Sequence, residues 1–189
     1  DGHSAFGIDL DQQLTAARLI LDPAEQDELR DLGRAAAAAV EDALRSWQPG
    51  ESDNSVAARI SAAIEAIGGD APVLIVGTDD RVGRYRHPVA RGAAADELVM
   101  AVLVARRYGL HVALTRYAAA GETPTLDADL DRVRRIHRTA LDALVPGNRV
   151  GDVYAALDAG YRAEGYAEEW RGHYQGGPIG YRQREFEIA

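Results

Sequence analysis

Apolar residues recur at helical spacing through Leu29, Leu32, Ala36, Val40 and Leu44, which predicts a first helix over 22–44. Asp22 is placed to cap it, Pro23 suits its first turn, and Pro49-Gly50 follows its end. A polar run, Ser52-Asp53-Asn54-Ser55, opens a second helix with the stripe Val56, Ile60, Ile64 and Ile67, closed by Gly68-Gly69. Val73 to Val76 then reads as a strand. Leu98 to Val104 and Leu110 to Arg116 are apolar runs that predict a hairpin turning through Arg106-Arg107-Tyr108-Gly109. Thr123 to Leu126 is expected as a loop. A third helix is predicted over 127–144, ended by Val145-Pro146-Gly147, and a fourth from Gly151 or Asp152 to Glu164, ended by Gly165.

This order repeats. Shifting the chain by 97 positions puts Leu44 on Leu141, Val56 on Val153, Ile60 on Leu157, Ile64 on Tyr161 and Gly68 on Gly165, and it superposes the two Pro-Gly steps. Each half is helix, Pro-Gly, helix, Gly, then an extended segment, the mark of an internal duplication.

Length and composition narrow the reading. A chain of 189 residues that is 47% apolar is sized for one domain with a real core. No window approaches the ~18 apolar residues of a membrane span, and the first residues lack the basic and apolar regions of a signal peptide; the expected setting is cytoplasmic. With no cysteine there is neither disulfide nor thiolate chemistry. A net charge of −9 argues against nucleic acid as a partner. Loops of the Gly-x-Gly-x-x-Gly and Gly-Lys-Ser/Thr kind, His-Glu-x-x-His and Gly-x-Ser-x-Gly are all absent.

From about Arg18 to Glu187 the chain resembles the pita-bread superfamily of creatinase, prolidase, aminopeptidase P and methionine aminopeptidase. The residues that carry the resemblance are Leu21-Asp22-Pro23-Ala24-Glu25, the two Pro-Gly turns, Arg86-His87-Pro88, Leu114-Thr115-Arg116 and Gly172-His173-Tyr174-Gln175-Gly176-Gly177, in this order and spacing. It implies an α+β fold of two pseudo-symmetric halves, with helices packed on a curved antiparallel sheet. It divides the chain into an N-terminal extension or domain remnant, 1–21, and a catalytic-like domain, 22–189, truncated at its C-terminal end. In the metal-dependent members two aspartates, a histidine and two glutamates hold a pair of ions. Here Val102 and Ala113 stand at the aspartate positions, and Gly180 stands where a companion histidine often lies. Hence no metal site and no cofactor are expected.

The candidate catalytic residues follow from the same resemblance. His87 lies in a polar, Arg-rich stretch before a proline, and imidazole suits acid/base work near neutrality. His173 sits among glycines that allow close approach, and Glu185 is expected on a strand, orienting either histidine. Arg116 and Arg184 are candidates to grip a substrate carboxylate, with Tyr174, Gln175 and Tyr181 lining the cleft. His3, His111 and His137 read as tail, strand filler and helix surface. The expected function is metal-independent chemistry on a C–N bond of a small amino-acid-like or peptide-like substrate. The alternatives are a pseudo-peptidase that binds peptide or protein, and a metal-dependent Xaa-Pro type aminopeptidase whose ligands lie elsewhere. The resemblance allows a homodimer.

Overall fold

The computed structural model describes residues 10–185, which divide into two compact units. Unit 1 runs to Ala120 and resumes at Pro178; unit 2 is Gly121–Gly177. Unit 1 contains α1 (Asp11–Leu19), α2 (Pro23–Arg45), β1 (Glu51–Ser52), α3 (Asp53–Ala66), β2 (Asp70–Thr78), α4 (Asp80–Arg84), β3 (Ala94–Ala95), β4 (Leu98–Arg107) and β5 (Leu110–Ala119). Unit 2 contains α5 (Pro124–Ala143), α6 (Val150–Ala163) and a single 3-10 turn, Glu169–Gly172.

Helix α2 begins where its sequence dictates. The Asp22 side chain accepts from the backbone N–H of Glu25 at 2.9 Å, and Glu25 accepts from the N–H of Asp22 at 2.7 Å. Such reciprocal capping is worth about 1 kcal/mol. Helix α1 lies within the stretch expected as an extension. Helix α5 starts three residues earlier than expected, at Pro124, so Thr123–Leu126 is not a loop. A proline with φ already near the helical value, and no N–H to satisfy, initiates a helix readily.

The main sheet has the order β2-β4-β5, antiparallel throughout. The β4–β5 turn is the two-residue pair Tyr108 (φ 50°) and Gly109 (φ 86°), the left-handed pair that suits the twist of a tight hairpin. Registers place side chains in rows across the three strands. Leu74–Leu103–Leu114, Val76–Ala101–Arg116 and Thr78–Val99–Ala118 share one face. Against it pack Leu32, Ala36, Val40 and Leu44 of α2 and Val56, Ile60 and Ile64 of α3, the core of unit 1. Val73–Val104–Ala113, Ile75–Val102–Thr115 and Gly77–Met100–Tyr117 share the opposite face.

The duplication is visible in the backbone. Gly50 and Gly147 have φ of 89° and 98°, and Gly68 and Gly165 have 76° and 85°. Both pairs occupy the left-handed region that glycine enters without penalty and that ends helices. The halves then part. After Gly165 no strand forms among the described residues, and Arg184-Glu185, expected on a strand, lies in irregular backbone. The stretch carries Gly172, Gly176, Gly177, Pro178 and Gly180, which weaken a ladder by entropy and by a missing donor.

Candidate functional site

On the face of the main sheet turned away from α2 and α3, the rows Val73–Val104–Ala113, Ile75–Val102–Thr115 and Gly77–Met100–Tyr117 are carbon-lined apart from Thr115 and Tyr117, and the next row, Arg106–His111, is polar. Val102 and Ala113 are diagonal neighbours on this face, because Val102 pairs with Thr115 and Ala113 with Val104. Both reach solvent, Val102 half-buried and Ala113 exposed. Tyr117 is the deeper polar group, and burial pushes its phenol up from its ordinary value.

One loop is anchored on this face. A Cβ built on Gly77 would collide with the Pro88 ring, approaching its Cβ at 2.7 Å and its carbonyl oxygen at 3.1 Å. Only a glycine at position 77 lets the fully buried Pro88 rest on the strand. His87, exposed, immediately precedes this anchor in the chain, and the Gly77–Met100–Tyr117 row lies one row, roughly 7 Å along the strands, from that of Val102.

Two aspartates hold the rest of that loop. Asp53, fully buried at the start of α3, accepts from the backbone N–H groups of Arg91 (3.1 Å) and Gly92 (2.7 Å), and lies 3.5 Å from Arg81. Asp79, at φ 50°, accepts from the N–H groups of Asp96, Glu97 and Leu98 at 3.0, 2.8 and 2.8 Å. Burial pushes the Asp79 carboxyl up, but those three donors outweigh it and hold the group below its usual range. Sequence reasoning passed over both aspartates. Asp79 stands just before the Arg-rich stretch, but Asp53 lies 28 residues ahead of Arg81, and nothing in one sequence shows which backbone a carboxylate will receive.

The remaining candidates of unit 1 are not on the carbon-lined face or are committed elsewhere. Arg116 shares a row with Val76 and Ala101 on the helix-packed side, where it binds Glu41 at 3.0 Å. With Glu41, Leu44, Arg45, Tyr117 and Ala118 it lines a depression of about 350 Å³. Glu185 is buried and bound to Arg18 at 2.6 Å and to the Arg182 N–H at 3.0 Å. Burial pushes its carboxyl up, yet the Arg18 guanidinium and the backbone donor leave it below the usual range. The Tyr181 hydroxyl donates to Glu25 at 2.5 Å, which pushes the phenol up. Arg184 is exposed. His111, read as filler, is buried and bonds the Gly180 carbonyl through its backbone N–H (2.8 Å) and its Nδ1 (3.0 Å), pinning the returning segment to β5.

His173, Tyr174 and Gln175 belong to unit 2. His173 is exposed, with Nδ1 2.5 Å from the Tyr174 carbonyl. Gln175 donates to the carbonyls of Trp170 (2.9 Å) and His173 (2.7 Å) and accepts from the Tyr161 hydroxyl (2.7 Å), so it braces the stretch that carries His173. His137 is exposed on α5, as its surface reading requires, and His3 lies outside the described residues.

The family model described as metallopeptidase family M24 matches residues 27–187. The chain belongs to that family. The α+β architecture is its pita-bread fold. An X-Pro aminopeptidase from Thermotoga maritima superposes with a TM-score of 0.81 at 17% identity, over 95% of this chain and 51% of its own. A prolidase from Pyrococcus furiosus gives 0.81 at 18%, over 95% and 56%. A dipeptidase from Mycobacterium ulcerans gives 0.78 at 25% identity, over 95% and 52%. The chain thus spans about half the length of these solved structures. No curated protein matches it.

The family's name implies a metal, and the side chains of the carbon-lined face do not fit one. Hard divalent ions take oxygen or imidazole donors, whereas Val102 and Ala113 offer carbon only. Among the described residues no three His, Asp or Glu side chains gather to hold an ion. Likewise, no helix among them is long and apolar enough to cross a membrane.

Proposed function

We propose that this M24 domain acts on a C–N bond of a small peptide-like substrate without the family's dinuclear centre, with His87 as the acid/base. One observation carries the reading: the loop bearing His87 is seated, through Pro88 on Gly77, on the same sheet face where Val102 and Ala113 stand side by side. A proton carrier therefore adjoins a surface suited to apolar parts of a peptide. Glu185 is assigned in the same reading to holding the returning segment. The name of the Mycobacterium ulcerans relative, a dipeptidase, supports a short peptide. A cytoplasmic setting and a peptide or small-molecule partner belong to this proposal.

The purified full chain, assayed on a panel of di- and tripeptides with and without chelator, tests it. Turnover that survives chelation and falls at least a hundredfold in His87→Ala, with the fold intact by circular dichroism, is expected. Stoichiometric manganese, cobalt or zinc with chelator-sensitive turnover would sink the metal-free assignment. The carbon-lined rows also favour a second reading, a pseudo-peptidase that binds peptide. Saturable peptide binding with no turnover in the wild type would establish that alternative.

A further inference from the structure

The carbon-lined rows are not equally open. Ala113 and Thr115 are exposed, and Val73, Ile75, Val102 and Val104 are half-buried. In the Gly77–Met100–Tyr117 row both Gly77 and Met100 are buried, and Pro88 lies on Gly77. The face therefore deepens toward the loop that carries His87. Tyr117, half-buried, ends this deepest row on β5.

The other tyrosines of unit 1 answer to groups of this chain. Tyr181 donates to Glu25, while Tyr85 and Tyr108 are exposed and lie under the guanidinium groups of Arg81 and Arg107, 5.8 and 5.7 Å from the ring centroids. Tyr117 has no counterpart to these. Among the described residues its hydroxyl makes no hydrogen bond. A phenol drawn partly out of water ordinarily finds a partner, because an unmade bond is costly once water is withdrawn. The packing of unit 1 thus gives the Tyr117 oxygen nothing to do.

We propose that the Tyr117 hydroxyl is a substrate contact of the His87 site, donating a hydrogen bond to the carbonyl oxygen of the ligand's peptide bond. The assignment rests on the reading above that the ligand lies on this face. Gly77 and Tyr117 stand two strand spacings apart, roughly 10 Å between α-carbons, which leaves room for a peptide unit between the anchored loop and the phenol. During attack on an amide, charge gathers on the carbonyl oxygen, and a donor already fixed in place stabilises it. Burial pushes the phenol up from its ordinary value, so its proton stays on the oxygen at neutral pH. Tyr117 acts as a donor and gives up no proton; proton transfer is left to His87.

Ala-Pro and its E-alkene isostere, in which a carbon–carbon double bond replaces the amide, differ among their hydrogen-bonding groups only in the carbonyl oxygen, since a bond to proline carries no N–H. Isothermal titration of the full chain bearing His87→Ala, which holds the dipeptide uncleaved, is expected to show Ala-Pro bound about 10-fold or more tightly than the isostere. Adding Tyr117→Phe is expected to erase that difference. The melting temperature should stay unchanged or rise, since the oxygen removed bonds nothing in the fold. With His87 intact, Tyr117→Phe is expected to lower kcat about 100-fold and to raise KM about 10-fold. Equal binding of the two ligands, no binding of either, a preference that survives Tyr117→Phe, or a melting temperature lowered by Tyr117→Phe would overturn the donor. Turnover that needs His87 but is unchanged in Tyr117→Phe would overturn the donor and leave the acid/base reading standing. A carbonyl preference erased by Tyr117→Phe, in a chain whose wild type turns nothing over, would uphold the donor and overturn the acid/base reading.

Discussion

The two faces of the main sheet are made by the same three strands and differ in what their side chains answer to. On the helix-packed face, Leu103, Val99, Ala101 and Val76 are fully buried beneath Ile60, Ile64 and Val40, and residue size is dictated by the volume between sheet and helices. On the other face Ile75, Val102 and Val104 are only partly covered, and Ala113 and Thr115 are exposed. A strand with one wet face ordinarily alternates apolar and polar residues. The carbon-lined rows break that alternation, so unit 1's own packing does not explain them. What the difference teaches is where to look for function: in the face whose composition the core does not require.

Substitutions should separate the faces in order of size. Ile60→Ala leaves a cavity between helix and sheet and is expected to cost about 2–5 kcal/mol in urea unfolding, the largest of the series. Gly77→Val drives a branched side chain into Pro88 and is expected to cost about 1–3 kcal/mol. It should also release the His87 loop, seen as faster hydrogen exchange over 85–92, with a loss of turnover larger than the loss of stability explains. Equal effects on both would unlink the loop from the face.

Glu185→Gln probes the returning segment and should cost about 1–2 kcal/mol at neutral pH. The sign with pH is fixed by direction. The folded Glu185 carboxyl is held below its ordinary value of 4.5, so its contribution is complete above that value and is lost as pH falls through the lower, folded value. The stabilities of wild type and variant should converge as pH falls through that lowered value; a gap that persists in the acid limit would deny the ion pair with Arg18 its role. The smallest effect is expected from Val102→Asp with Ala113→Asp, under about 1 kcal/mol, because both positions reach solvent. The double variant is expected to bind Mn²⁺, detected by electron paramagnetic resonance, more tightly than the wild type does. Failure to do so would mean that the two positions do not converge on one ion.

Much of the architecture was legible because periodicity and punctuation agreed. The stripe from Leu29 to Leu44, the Asp22-Pro23 start and the paired glycines located α2, α3, α5 and α6 to within a few residues. Strand β2 proved longer than Val73 to Val76, since its ends are held by pairing with β4 rather than by apolar residues of its own. The site was less legible. Alternation already implied that Arg116 and Ala113 lie an odd number of residues apart and so face opposite ways, which the motif Leu114-Thr115-Arg116 obscures. The anchoring of Pro88 on Gly77, the backbone donors gathered by Asp53, and the capture of Glu185 by Arg18 all join residues far apart in the chain, and local pattern holds no record of such meetings.

The bonds from His111 to the Gly180 carbonyl have a temporal consequence. Residues 178–185 complete unit 1, yet they follow all of Gly121–Gly177 in the chain. During synthesis the sheet and its helices emerge first, but their last piece leaves the ribosome only after α5 and α6 have been made. Unit 2 is in effect a long closed excursion from unit 1. Because loop-closure entropy rises only logarithmically with length, such an excursion tolerates insertions better than its position suggests. The same sequence separation predicts that docking of this segment is a late event in folding, and that a ribosome-stalled chain ending before Pro178 would show the β4–β5 hairpin protected from exchange while Arg18 and His111 still await their partners.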